Sequence, residues 1–407
     1  MTQYVLGHSA LALSETFYDF VFAVLAFKIS GHAFLSGAAY ALGYLAEIIV
    51  SLLGGGILDK CDRRKLFNIT MIAKFSVFLF FIFLSSFYSS IHQQSISRMI
   101  LVLIFAFLID MLHHTSRLAN SLTLFQIFDQ KSQITVQGMI TSINGISKIS
   151  GPLIAGSLLS WVTIRIENLL LFSLVLQVIA WIALNNLFNP LDHITKEQKH
   201  RWIDLALSTA KTVHKSFHNK AWRKLFLIES LGAFLLGTAS LLFYPLFNGY
   251  YHFNEQECGI LLSASAIGMV VGGFFLNPIY RLVPHYQIII KFSLFLSGAM
   301  CAVFATQFTN LMSMMMAIII FSTSTVSFFR SLRLILVDRI DTKELGQWWT
   351  ASDVISSVSG IAGILIGSIT MDLIGGTMLY GVIAVILCIC SLTTVSNLKT
   401  QYGEKTS

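Results

Sequence analysis

Apolar residues run along this chain in long blocks bounded by charged and turn residues. Twelve of those blocks approach the length of about 20 residues that carries a helix across a hydrocarbon layer. They fall near 9–28, 34–57, 67–89, 99–120, 136–161, 167–188, 224–247, 258–280, 286–307, 310–329, 348–371 and 376–397. The pattern predicts an all-α integral membrane protein of twelve transmembrane helices. One long polar stretch interrupts it, from Pro190 to Lys224, where Trp202, Leu205, Leu207, Val213 and Phe217 suggest an amphipathic helix lying on a membrane surface. The expected organisation is therefore a six-helix half over 1–189, a cytoplasmic linker over 190–223 and a second six-helix half over 224–407.

Composition agrees. Of 407 residues, 55% are hydrophobic and only 12% charged, about half the charge of a soluble domain, so the solvent is lipid. The net charge of +7 would point a soluble chain toward nucleic acid. Here the cations sit in loops: with the N-terminus cytoplasmic, cytoplasmic loops and the C-terminal tail hold 21 lysines and arginines, and the opposite loops hold Lys28, Arg98 and Arg165. That bias predicts an even number of spans with both termini in the cytoplasm, membrane lipid as a partner, and no nucleic acid. The N-terminus lacks a basic region before its first apolar run and a small-residue cleavage site, so the first span is expected to be retained. Cys61, Cys258, Cys301, Cys388 and Cys390 show no metal-ligand spacing, so no metal site or disulfide framework is expected.

The halves echo each other at an offset of about 210 residues, as in carriers built from two parallel repeats. Arg117, Asp129 and Gly156-Ser157 reappear as Arg330, Asp338 or Asp341, and Gly367-Ser368. No phosphate-binding loop, His-Glu-x-x-His or serine-nucleophile motif occurs, which predicts neither an enzyme nor an ATP-driven pump, and no cofactor.

After the second block comes Gly54-Gly55-Gly56-Ile57-Leu58-Asp59-Lys60-Cys61-Asp62-Arg63-Arg64-Lys65. Glycines allow close helix approach, and an anion at a helix end can engage a neighbouring helix terminus or cation in one conformation only. This loop resembles that between spans 2 and 3 of the major facilitator superfamily, with Asp59 at the motif's acidic position and Arg63, Arg64 and Lys65 at its basic ones. The resemblance implies a conformational latch at Gly55, Asp59, Arg63 and Arg64. The second half has no such copy, since Gly272-Gly273 leads to Asn277-Pro278 and Arg281. Arg117, Lys148 and Gly151-Pro152-Leu153-Ile154-Ala155-Gly156 resemble spans 4 and 5 of the enterobactin-exporter and macrolide-efflux branch, and Ile29–Ala33 is similar to that branch's turn after span 1. A helix kink at Gly151, Pro152 and Gly156, and transport directed outward, are what that likeness implies.

An ionisable side chain within a span costs roughly 2.5–3.5 kcal/mol on insertion scales, so each one is a functional candidate. Glu15 and Asp19 lie four residues apart, on one face of the first span beside Tyr18. They are the leading candidates for proton coupling or for holding a cationic group. Asp110, His113 and Arg117 in span 4 and Lys148 in span 5 join them, with Asp110 or Glu15 as the counter-ion expected for Lys148. Glu47, His114, Glu229 and Asp353 complete the set; His113 and His114 also suit a plain headgroup-level position, and Glu229 and Asp353 pairing with loop cations. The 33 phenylalanines read as packing and lipid-facing residues.

The function these features lead to is secondary transport by alternating access, driven by the proton gradient. The expected cargo is a small molecule, a siderophore or drug-like metabolite, exported across a bacterial-type inner membrane. Import of a polycarboxylate siderophore, recognised by Lys148 and Arg117, is the first alternative. A divalent-metal exporter, because Glu15 and Asp19 resemble the first-span acid arrangement of ferroportin-like exporters, and a non-transporting membrane scaffold are the others.

Overall fold

The computed structural model describes residues 2–58, 63–89, 96–127, 130–161, 165–185, 211–212, 214, 218, 220–282, 286–306, 310–339 and 342–398, with backbone alone in some helical stretches such as 51–58 and 121–127. Within them are twelve α-helices and no strand: α1 (Thr2–Ser30), α2 (Ala33–Leu58), α3 (Arg63–Ser89), α4 (Ile96–Ile127), α5 (Gln130–Trp161), α6 (Leu170–Asn185), α7 (Lys220–Leu241), α8 (Glu255–Leu282), α9 (Tyr286–Ala305), α10 (Leu311–Arg339), α11 (Thr342–Ile374) and α12 (Gly376–Leu398). Eleven are long and apolar enough to cross a membrane. The exception is α5, which interleaves Asn144, Ser147, Lys148 and Ser150 with its apolar residues. Only helices satisfy every backbone amide within their own segment, which is why a lipid-soluble chain folds this way. Trp202, Leu205, Leu207, Val213 and Phe217 of the expected surface helix lie outside the described residues.

The chain divides into two compact units, Met1–Ala206 with Asn254–Ser263, and Leu207–Phe253 with Ala264–Ser407. In the first, α1 is the central helix, packed against α2, α4, α5 and α6. Burial covers 72% of its apolar window, against 33–50% for the other spans, as expected of a helix apolar all round. A hydroxyl knot fixes it to α6: Ser14 Oγ lies 2.6 Å from Ser173 Oγ, and Gln177 Nε2 donates to Ser14 Oγ at 3.1 Å. Where α3, α4 and the short 3-10 turn Ile166–Leu169 meet, buried Glu167 pairs with Arg98 and accepts from Ser85 Oγ at 2.9 Å.

Pro152 lies inside α5 and removes the amide that would bond the carbonyl of Lys148. The carbonyls on either side of that one gain partners. Thr16 Oγ1 of α1 donates to Ser147 O at 2.8 Å, and Ser263 Oγ of the same unit donates to Ile149 O at 2.6 Å. Small residues make the approach: a Cβ on Gly151 would stand 2.2 Å from Thr16 Oγ1, and one on Gly156 2.6 Å from the carbonyl of Glu255.

In the second unit α7 packs along α11, and α9 lies between α10 and α12. Phe243, Phe304, Phe321 and Tyr380 interlock edge to face at the centre, with Tyr380 Oη donating to Ala239 O at 2.6 Å. Two glycines of α11 test this packing. A Cβ on Gly363 would lie 2.3 Å from the Phe234 carbonyl, whereas one on Gly360 would meet nothing nearer than 4.0 Å. Gly363→Ala is expected to lower stability by about 1–3 kcal/mol. Gly360→Ala should leave it unchanged or raise it by up to about 1 kcal/mol, as alanine does in a helix. Thermal unfolding of both variants in detergent checks the contrast.

Candidate functional site

The first unit gathers ionisable groups from four helices. On α4, Asp110, His113, His114 and Arg117 follow one another at three- and four-residue spacing and so share a face. Opposite them, α1 presents Glu15, Tyr18 and Asp19, α2 presents Glu47, and α3 presents Lys74. Room for the Asp110 carboxyl comes from Gly43 of α2, where a Cβ would stand 2.8 Å from Asp110 Oδ2.

The contacts form a chain. Lys74 Nζ lies 3.0 Å from His113 Nδ1, and His113 Nε2 lies 3.0 Å from Glu15 Oε2. Glu15 Oε1 is 3.6 Å from one Arg117 nitrogen, and the other donates to Glu47 Oε1 at 2.8 Å. An amine donating to Nδ1 leaves the ring proton on Nε2, the nitrogen within ion-pair distance of the Glu15 carboxylate. The chain runs from a sealed end to an open one: Lys74 is 0% exposed, while the Arg117 and Glu47 side chains are 40% and 38% exposed. Tyr18, also fully buried, sets its ring edge-on to His113 and offers its face to Lys74 Nζ at 5.0 Å from the centroid. Lys74 and Arg117 stand against four carboxyls, Glu15, Asp19, Glu47 and Asp110, so the fixed charges do not balance.

Glu15, Tyr18, Asp19, Asp110, His113 and Arg117, read from the sequence as candidates, thus come together. Lys148 is exposed on α5, and no ion pair joins it to Glu15 or Asp110 among the described residues; the partners of Glu15 are His113 and Arg117. Lys74, a lysine amid the apolar residues of α3, is the addition that the sequence reading missed. Glu229 and Asp353 lie in the second unit, where Arg333 pairs with Asp353 at 2.5 Å. Of the latch residues, Asp59 lies outside the described residues and Gly55 and Arg63 are placed by backbone alone. Arg64 Nε donates to Asn185 Oδ1 at 3.4 Å, joining α3 to α6 beside the bond from Asn68 Nδ2 to the same oxygen.

Among the described residues, twelve helices in two units, with a partly buried acid–base network in the first, define a polytopic helical membrane protein. The sequence matches the Major Facilitator Superfamily over residues 4–366, and the chain belongs to that family of membrane transporters. No curated protein matches it by sequence. Among solved structures, a bacterial homologue of the iron transporter ferroportin in its inward-facing state is 13% identical, with a TM-score of 0.76 over 97% of this chain and 98% of that one. The nucleoside transporter NupG is 15% identical (TM-score 0.69; 99% and 98%), and a bacterial metal transporter 13% identical (TM-score 0.66; 97% and 98%). At these identities the likeness is one of fold.

Arg117 compensates two carboxylates at once, so Arg117→Met is expected to destabilise the protein and Glu47→Gln to recover part of the loss. For groups this exposed, a coupling of about 0.5–1 kcal/mol is expected from a double-mutant cycle on thermal unfolding.

Proposed function

We propose that this protein is a proton-coupled carrier that exports a small amphiphilic molecule, of siderophore or drug-like type, across a bacterial-type inner membrane with both termini in the cytoplasm. The observation that carries the reading is the chain Lys74–His113–Glu15, set beside Asp19 and Asp110 at membrane depth. A histidine between an amine and a carboxylate can pass a proton from one to the other with only a change of tautomer. The surplus of carboxyls over cations suits a site that exchanges a proton for a cationic or neutral cargo. The outward direction rests on the resemblance of Gly151, Pro152 and Gly156 to the exporter element of span 5.

The same geometry weighs against the alternatives. Arg117 is held by Glu15 and Glu47 and Lys74 faces His113, so a polycarboxylate would have to break existing pairs to be bound. A divalent cation would meet Lys74 and Arg117 between the carboxyls, and no group of three metal-ligating side chains converges among the described residues.

Proteoliposomes with an acid interior test the reading, with an ethidium-type dye, a catecholate siderophore, a citrate-type siderophore and a nucleoside as probes. Concentrative uptake of the dye or the catecholate, driven by the gradient and abolished in Glu15→Gln and in Asp19→Asn, is expected. Undiminished uptake in both variants removes proton coupling. Citrate-siderophore uptake driven by an acid exterior instead establishes import.

For the loop after α2, Asp59 acts as a contact made in one transport state only. Asp59→Asn is expected to slow turnover severalfold while probe binding and thermal stability stay as in the wild type. Normal transport kinetics in that variant would count against the latch.

A further inference from the structure

The second unit holds a buried acid that, among the described residues, is in no ion pair. Glu229 on α7 is 2% exposed. Its Oε1 accepts from Ser352 Oγ at 2.5 Å and from Ser356 Oγ at 2.8 Å, both on α11, while its buried Oε2 has no hydrogen-bond partner. An ionised carboxylate is acceptor-only and has about four lone-pair sites to satisfy; two hydroxyls on one oxygen leave the other bare in a dry surrounding, at a cost of several kcal/mol. A neutral carboxyl with its proton on the second oxygen is the less costly form here, because a single unpaired O–H in a dry surrounding is penalised less than a bare anionic oxygen, while Oε1 keeps its two donors.

Water is kept from the site on two sides. One and two turns before Glu229 on α7 stand Phe226 and Trp222, and one turn before Ser352 on α11 stands Trp348. The Trp348 ring lies 5.1 Å from that of Trp222 and stacks on Phe226 at 6.0 Å, and Phe226 and Trp348 are almost fully buried. One turn beyond Glu229, Phe328 of α10 packs directly on the backbone of Gly232, where a Cβ would fall 2.3 Å from the ring.

Among the described residues no cation forms an ion pair with Glu229, and Arg333, whose charge reaches it, is engaged by Asp353. On α10 and α11, Arg333 and Asp353 neutralise each other at 2.5 Å, and Arg330 donates to Gly273 O at 2.9 Å. On α7 itself Arg223 and Lys224 lie more than one turn away, and α12 carries no ionisable acid or base other than Tyr380, Cys388 and Cys390.

We propose that Glu229 is a second proton-binding site, loaded in this conformation with a proton on Oε2 that is held behind the aromatic plug of Trp222, Phe226 and Trp348. The proton enters from water and returns to water, with no other bond changed. Each unit then carries its own titrating acid, one within an ion-paired network and one held by hydroxyls.

Infrared difference spectroscopy of the full-length protein in lipid reads this without a substrate, so its outcome is separable from that of the transport assays. At neutral pH the wild type should show a neutral-carboxyl stretching band that is lost in Glu229→Gln. Ser352→Ala combined with Ser356→Ala should shift the same band to higher wavenumber, which decides the matter should the glutamine variant not fold. Trp348→Ala should speed deuterium exchange of that band. Spectra of wild type and Glu229→Gln that coincide at neutral pH, or a serine double variant with every carboxyl band in place, overturn the assignment; deuterium exchange unaffected by Trp348→Ala overturns the plug.

Discussion

The half-buried Glu15 carboxylate, on the central helix of the first unit, is the contact on which that unit's arrangement depends. A charge at this depth is tolerated only with partners, and Glu15 has two, His113 and Arg117, both from α4. Each partner is held from its far side, His113 by Lys74 of α3 and Arg117 by Glu47 of α2. A single carboxylate thereby fixes the register of α1 against α4 and, through α4, of α2 and α3. Hydrophobic association cannot do this in a bilayer, where lipid tails solvate leucine as well as another helix does.

The second unit solves the same problem with hydroxyls. Glu229 is met by two serines rather than by a base, and the one close ion pair near it, Arg333–Asp353, is half-exposed. Its centre is an aromatic cluster instead of a charged one. The interiors of the two units are therefore chemically unlike.

Much of this was legible in the sequence. Span length carries the helical architecture, because it follows directly from the hydrocarbon thickness. Glu15 and Asp19 announce themselves by cost and by four-residue spacing, and Arg117 by motif. Lys74 escapes because a single lysine within an apolar run weakens neither the run nor its neighbours, and its role depends on which helix α3 faces. For Lys148 the expected pairing depends on the rotation of α5, which leaves its side chain exposed and, among the described residues, in no ion pair with Glu15 or Asp110. Which acid meets which base is a matter of tertiary register, on which the sequence of any one helix is silent.

Glu15 and Thr16 are consecutive on α1, and they point the chemistry of that helix in two directions. Glu15 meets the charges of α4, while Thr16 donates to the Ser147 carbonyl of α5, next to the carbonyl that Pro152 deprives of its amide. Gly151 lets the α5 backbone come close enough for that bond, and a side chain there would strike Thr16. A proline kink is the point at which a helix bends most readily, since one rung of its ladder is already missing. With Thr16 seated at that point and Glu15 one residue before it, α5 cannot bend against α1 without altering the setting of the carboxylate. Conversely, a change in the charge of Glu15 alters the force that holds α1 against α4 and hence its seat on α5. The acid and the proline site of α5 are thus mechanically adjacent, a relation that needs no longer pathway than one peptide bond.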